Sequence, residues 1–344
     1  MPWLWLFPLP GEGWGGGSAA LAHAVALVLA LAIDRVLGEP RARWHPVVWM
    51  GRYLAWAGRL VAPPIDAASS RRFGPFAAGA LAWCAGGAAV VLAATALSAA
   101  AARLPDWAAA LLLGLALKPL LAWRMLRDEV LAVEAALACS LAEGRNRLAH
   151  LVSRDVRALD TVAVRESAIE SLAENLNDSV VAPLFWFLLL GLPGAALYRF
   201  ANTADAMWGY RGERSGRDWE WAGKWAARVD DVLSWLPARL TALLLALSCS
   251  PFRVRQRDGA KVLQSLPGEA RRTPSPNSGW PMAAIALLLG VRLAKPGVYV
   301  LNAGGRQATP ADTRRAATLG ARVAWMAAAL AAIALLLPSA WGHP

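Results

Sequence analysis

Apolar and polar residues are segregated into long blocks along this chain. Residues 76–102 and 323–341 are nearly unbroken apolar runs. Each is long enough for a helix to cross about 30 Å of hydrocarbon, which takes roughly 20 residues. Residues 19–33 and 107–123 are shorter and cross only if their flanks adapt. Trp107, Trp123, Trp325 and Trp341 stand near the ends of these runs, as in an aromatic belt. Three further apolar stretches, 180–198, 240–252 and 280–291, do not read as simple spans. The first carries Gly191-Leu192-Pro193-Gly194, which kinks or turns a helix. The first is nonetheless long enough to cross and the other two are short for a crossing, and all three are read as re-entrant hairpins or helices buried against the spans. The expected fold is all-α: a polytopic membrane protein with about four full spans plus re-entrant or buried short helices. Residues 1–18, rich in Gly, Pro and Trp, read as a flexible lead-in to a single membrane domain over 19–344.

Composition supports that class. The chain is 57% hydrophobic, carries 18 Trp and only 17% charged residues, and has a mean hydropathy of +0.39. An ordinary soluble domain is far less apolar. Glu12 is the only charge before Asp34, so no basic leader precedes residues 19–33. That run reads as a retained membrane segment rather than a cleaved signal. The net charge is +11. With four spans, all of the 35 Lys and Arg except Arg103 and Lys118 fall on one side, which the positive-inside rule makes cytoplasmic. The polar segments are expected to gather there, on the inner face of a cell membrane. No nucleic-acid module is evident, and the basic excess reads as topology plus contact with anionic lipid or substrate. Cys84, Cys139 and Cys249 are scattered and form neither a zinc spacing nor a disulfide framework.

The densest chemistry lies in residues 160–178, DTVAVRESAIESLAENLND. Read as a helix, it stacks Glu166, Glu170, Glu174 and Asp178 at i, i+4, with Ser167, Ser171 and Asn175 beside them. Like charges at that spacing repel, and no Lys or Arg follows at i+3 or i+4. Val162, Ile169, Leu172 and Leu176 make an apolar stripe for packing. The column is either a solvated acidic face or a metal and ligand site.

Other polar blocks offer partners. Asp34-Arg35-Val36-Leu37-Gly38-Glu39-Pro40, Trp44-His45-Pro46-Val47 and Gly51-Arg52 follow the first apolar run. His45 is a base, a metal ligand, a phosphate contact or a turn residue. Asn202, Thr203 and Asp205 supply hard oxygens suited to magnesium, as do Asp230 and Asp231. Lys224 and Arg228 stand at i, i+4 and could grip a phosphate, or simply pair with acids on a capped helix. Ser275-Pro276-Asn277-Ser278-Gly279 reads as a turn and helix N-cap, with anion binding as the alternative. Residues 124–157 are Arg-rich and helical by pattern. There is no Walker A sequence.

In order, DRVLGEP…WHPV…G at 34–51, RESAIESLAENLNDSVVAPLFW at 165–186, NTADAMWGY at 202–210, GKWAARVDDVLSWLPAR at 223–239 and SPNSGWPMAAIALLLG at 275–290 resemble the adenosylcobinamide-phosphate synthases of cobalamin biosynthesis, the CobD/CbiB family of integral membrane enzymes. The resemblance covers about 34–300. Glu39 stands where the pattern expects Asp, Arg199 where Lys often precedes the Asn-Thr block, and Ala206 where Ser is usual.

That resemblance implies joining (R)-1-amino-2-propanol O-phosphate, or aminopropanol, to the propionate carboxylate of adenosylcobyric acid, with ATP and Mg2+. It implies lipid and other cobalamin-assembly membrane enzymes as partners. Expected roles are catalysis by Glu166, Glu170, Glu174 and His45. Substrate and phosphate binding falls to Arg52, Asn175, Asn202, Thr203, Lys224, Arg228, Ser275 and Asn277, with Arg239 as a further clamp. Asp178, Asp205, Asp230 and Asp231 are the expected metal ligands. The competing classes are a transporter of a corrinoid or other solute, which would show pseudo-symmetric halves and charges inside its spans, and a non-catalytic scaffold for cobalamin-assembly enzymes.

Overall fold

A computed structural model describes residues 16–65, 72–248 and 256–341. Most of the proposed lead-in and Cys249 lie outside these described residues. The chain is almost wholly helical, with two small antiparallel hairpins. It divides into two compact units. The first draws on Met1–Leu121, Ala182–Leu233 and Ala328–Pro344, the second on Ala122–Val181 and Ser234–Ala327.

Five helical stretches are long and apolar enough to cross a membrane: Ser18–Leu37, Phe73–Ala101, Asp106–Cys139, Thr161–Trp208 and Pro310–Leu337. Lys224–Leu233 and Trp235–Ser248 add a sixth if they form one bent span. The apolar stretch at 180–198 lies within Thr161–Trp208, which is long and apolar enough to cross and is broken by a kink at Gly191, as the Gly191-Leu192-Pro193-Gly194 motif predicts. At that motif Gly191 leaves helical geometry, and two helical pieces meet at a kink.

The first unit holds α1 (Gly16–Leu37), α2 (Pro46–Val61), α3 (Phe73–Ala101), α4 (Asp106–Leu117), α8 (Ala182–Trp208), the β1–β2 hairpin (Glu213–Arg214, Arg217–Asp218) and α9 (Lys224–Leu233). α1 packs along α4, and α8 is packed by α2, α3 and α9. The α3 face against α2 and α8 combines small residues with Trp83, whose ring centre lies 5.6 Å from that of Phe200. A Cβ on Gly86 would collide with the rings of Tyr53 and Phe200. Gly191 sits at φ 64°, ψ −158° inside α8, a conformation open essentially to glycine alone. Pro193 follows and lacks the amide that would close the next helical bond.

An apolar cavity of about 490 Å³ opens among these helices, floored by Met50, Tyr53, Gly86 and Phe200. The polar tips on its wall are already bonded. Tyr53 donates to the Ala82 carbonyl (2.7 Å) and Trp49 to the Arg43 carbonyl (3.0 Å).

The second unit holds α5 (Trp123–Cys139), α6 (Leu141–Leu148), α7 (Thr161–Leu176), α10 (Trp235–Ser248), α11 (Gln256–Ala270), α12 (Gly279–Leu289), the β3–β4 hairpin (Leu293–Lys295, Tyr299–Leu301) and the first part of α13 (Pro310–Trp341). α7 is its axis, packed by α5, α6, α12 and β3. Ile169, Leu172 and Leu176 are fully buried, as the apolar stripe requires. α12 is too short to cross and is buried over Pro281–Ala286, as expected for residues 280–291. The Arg-rich stretch is helical only to Leu148. Residues 149–160 form a loop, which ends at Asp160 accepting from the Ala163 amide (2.8 Å) to cap α7.

Candidate active site

α7 carries the acidic column, and two of its carboxylates are almost fully withdrawn from water: Glu166 is 1% exposed and Glu170 4%. A solvated acidic face is thereby excluded for both. The missing countercharges come from other elements. Arg154 of the 149–160 loop donates to Glu170 (Nη2–Oε2 3.2 Å) and to Ser167. Arg292 stands 3.5 Å from Glu166, which also accepts from the Ala294 amide of β3 (3.1 Å). Arg165 forms a two-pronged pair with Glu134 of α5 (2.7 and 2.8 Å), and Thr313 donates to the same carboxylate (2.9 Å).

The column does not run straight to Asp178. α7 ends at Leu176, and Asn177–Val181 form a π turn that breaks the four-residue register. Asp178 accepts from its neighbour Asn177 (2.8 Å) and does not line the cavity described next. Single π turns are often found at functional sites.

Glu170, Glu174, Asn175, Ser167 and Ser171 face a cavity of about 170 Å³. Ser153 and Arg154 close one side and Lys295 and Tyr299 of the β3–β4 hairpin another. Glu170 Oε1 and Arg154 Nε and Nη1 are buried without a hydrogen-bond partner. Burial, then the charges of Glu170 and Glu174, push the Tyr299 phenol well above its ordinary pKa, so it stays protonated. A second cavity, of about 340 Å³, shares Leu151 and Asn175 with the first and is lined also by Glu129, His150 and Ser179.

Glu166 is engaged elsewhere. It does not line the 170 Å³ cavity but ties α7 to β3. Ser275 and Asn277 are also structurally occupied. Ser275 Oγ accepts from the amides of Asn277 and Ser278 (both 3.2 Å), and Asn277 accepts from Arg239 (3.1 Å). Arg239 lies between the rings of Trp235 and Trp280, 4.2 and 4.7 Å from their centres. The turn is present, although Ser278 makes no side-chain cap bond.

The remaining expected residues belong to the first unit. On α8, Asn202 accepts from Arg199 (3.3 Å) and reaches Asp230 of α9 (3.5 Å), and Thr203 donates to the Arg199 carbonyl (2.7 Å). Asp205 and Asp231 are half-buried, and Arg228 is exposed. Lys224 rests its ammonium 3.8 Å above the Trp221 ring centre. Among the described residues no three His, Cys, Asp or Glu side chains gather to hold a metal by themselves. Magnesium commonly takes one or two carboxylates and leaves its other positions to substrate phosphates and water. Of the expected ligands, Asn202 and Asp230 are in contact, and the Asn202 oxygen already accepts from Arg199.

His45 caps α2. Its Nδ1 accepts from the Val47 amide (3.3 Å), so Nε2 carries the proton toward Glu39 (2.9 Å). Lys118 reaches the same Glu39 oxygen (3.0 Å) and buried Asp34 (3.5 Å). Burial pushes the Glu39 carboxyl up, but the His45 hydrogen bond and Lys118 outweigh it and hold it below the usual glutamate range. Arg52 is exposed on α2.

Sequence reasoning missed Arg154, Lys295 and Tyr299. Lys295-Pro296-Gly297 was a usable signal, since Pro then Gly at φ 71° is the chemistry of a tight turn.

These features define a helical membrane protein with a charged cavity enclosed within one helical unit. Residues 27–326 match the CobD/Cbib protein family, and the chain belongs to that family. Curated relatives include the probable cobalamin biosynthesis protein CobD of Methanothermobacter thermautotrophicus, 38% identical over 78% of this chain and 84% of the relative. The cobalamin biosynthesis protein CobD of Brucella suis is 38% identical over 80% and 85%, and that of Rhodobacter capsulatus 36% over 88% and 95%. No solved structure matches.

Proposed function

We propose that this protein acts in cobalamin biosynthesis as an amide ligase of the inner membrane. It joins (R)-1-amino-2-propanol O-phosphate to the propionate carboxylate of adenosylcobyric acid and releases adenosylcobinamide phosphate on the cytoplasmic side. The observation that carries this reading is the small cavity on α7, where buried Glu170 and half-buried Glu174 face arginine, lysine and phenol groups in a chain of this family.

A carboxylate does not accept an amine until one of its oxygens becomes a leaving group. ATP with magnesium would supply that, a propionate oxygen displacing ADP from the γ-phosphorus to leave an acyl phosphate. Asp230, Asp205 and Asn202 would hold the cation, and Lys224 and Arg228 would take nucleotide phosphate. The amine then attacks the acyl carbon, phosphate leaves, and the ammonium proton passes to a carboxylate. Glu170 suits that last step, because one of its oxygens is bonded to Arg154 and the other is unbonded. Glu166 holds the hairpin that closes the cavity.

The test is direct. Purified protein in lipid nanodiscs, given adenosylcobyric acid, the amino-alcohol phosphate and Mg-ATP, is expected to form the amide by mass spectrometry. Glu170→Gln is expected to lower kcat by 100-fold or more. No amide from intact wild-type protein, together with corrinoid uptake in proteoliposomes, would replace this reading with transport.

A further inference from the structure

The geometry points to the 170 Å³ cavity as the pocket for a small amino-phosphate zwitterion, with Arg154 and Lys295 taking the phosphate and Glu170 and Glu174 taking the ammonium. This rests on the proposed reaction for the identity of the ligand, and it assigns residues to that reaction which the sequence motifs do not contain.

Four features converge. Size comes first: about 170 Å³ lies below the 300–1,000 Å³ typical of sites for drug-sized ligands, so a nucleotide does not fit inside and a small metabolite does. Charge is second. Two cations and two carboxylates line the wall, and the phenol is held neutral. A phosphate monoester and an ammonium on one short molecule meet both signs at once.

Unused bonding capacity is third. Arg154 Nη2 is taken by Ser167 and Glu170, while Nε and Nη1 are buried with no partner. Glu170 Oε1 is likewise unbonded, on a side chain 6% exposed. Buried polar groups left without partners are costly, so native structures rarely keep them without a reason. Two guanidinium N–H groups and one carboxylate oxygen are the complement of a phosphate and an ammonium.

Spacing is fourth. In the amino-alcohol phosphate only two carbons separate the nitrogen from the ester oxygen. Arg154 and Glu170 are bonded to each other, so their unbonded atoms are near enough to meet both ends of one such molecule. Ser171, Asn175 and the Tyr299 hydroxyl line the same wall.

The phosphate could instead belong to ATP, and the experiment separates the two. Wild-type protein in nanodiscs is titrated calorimetrically, without corrinoid or nucleotide, with (R)-1-amino-2-propanol O-phosphate and in parallel with phosphate-free aminopropanol. Lys295→Met and Arg154→Met are expected to weaken the phosphorylated ligand at least tenfold and leave the phosphate-free one unchanged. Lys295→Arg is expected to restore most of the loss, which a folding defect would not allow. In turnover, KM for the amino-alcohol phosphate should rise while KM for ATP stays constant.

Unchanged binding in both Met variants overturns the assignment. So does a rise confined to KM for ATP, which would give the pocket to the nucleotide. If wild-type protein binds the zwitterion and the variants lose it, yet no amide forms, the pocket stands and the ligase reading falls.

Discussion

At the scale of single residues, burial decides what an acidic side chain does here. Glu166 and Glu170 lie one helical turn apart on α7 and are equally hidden, but their partners differ. One holds a backbone amide of β3 and the other faces a cavity. Glu39 shows a third outcome. His45 and Lys118 depress its carboxyl below the ordinary range. A group whose pKa is lowered on folding contributes stability that is present above its unfolded pKa and is lost as pH falls through the folded one. Thermal unfolding followed at descending pH should therefore show a loss of stability below the ordinary glutamate range. Glu39→Gln should flatten that part of the profile. The same slope in both proteins would remove Glu39 as the cause. Lys118 was legible as a charge inside an apolar run, but its two carboxylate partners lie 84 and 79 positions earlier in the chain, and no local pattern reveals such a contact.

At the scale of elements, periodicity was a good guide wherever one helix accounts for it. The four apolar runs that form helices, the bend in α8, the burial of α12 and the apolar stripe of α7 were readable from spacing, whereas the crossing-length stretch Thr161–Trp208 was not. The signal failed where a register changed or a strand intervened. The π turn at Asn177–Val181 carries Asp178 out of the acidic column, and the β3–β4 hairpin brings Lys295 and Tyr299 to α7 from more than a hundred residues away. Half of the cavity wall was thus invisible to any reading of the α7 sequence alone. The bend in α8 gives a test. Gly191 occupies a region closed to residues with a Cβ, where strain costs about 1–3 kcal/mol. Gly191→Ala should lower the unfolding temperature measurably, whereas an Ala substitution at exposed Leu81 on α3 should not.

At the scale of the whole molecule, the charge asymmetry makes a claim about sidedness. Basic residues concentrate after the first apolar run and across the polar segments, as expected for a face turned to the cytoplasm. Exposed positions in three separate blocks test it: Arg43→Cys, Ser153→Cys and Arg228→Cys, each in a background with Cys84, Cys139 and Cys249 replaced. If only the four runs read from the sequence cross, a membrane-impermeant maleimide reaches all three from the cytoplasmic side of oriented membrane vesicles; a full crossing by Thr161–Trp208 would instead put Ser153→Cys and Arg228→Cys on opposite sides. Labelling of Ser153→Cys and Arg228→Cys from opposite sides would separate the α7 cavity from the α8–α9 acids and end the ligase mechanism.

Glu166 complicates the genetics of this chain. Its carboxylate moors a two-stranded ribbon to a helix, and that ribbon supplies a cation and a phenol to the neighbouring pocket. A mutational scan ranked by lost turnover would place Glu166 beside the groups that line the pocket, although it does not line it. A variant that frees the Ala294 amide by another route would tell the loss of that mooring apart from the loss of the carboxylate itself.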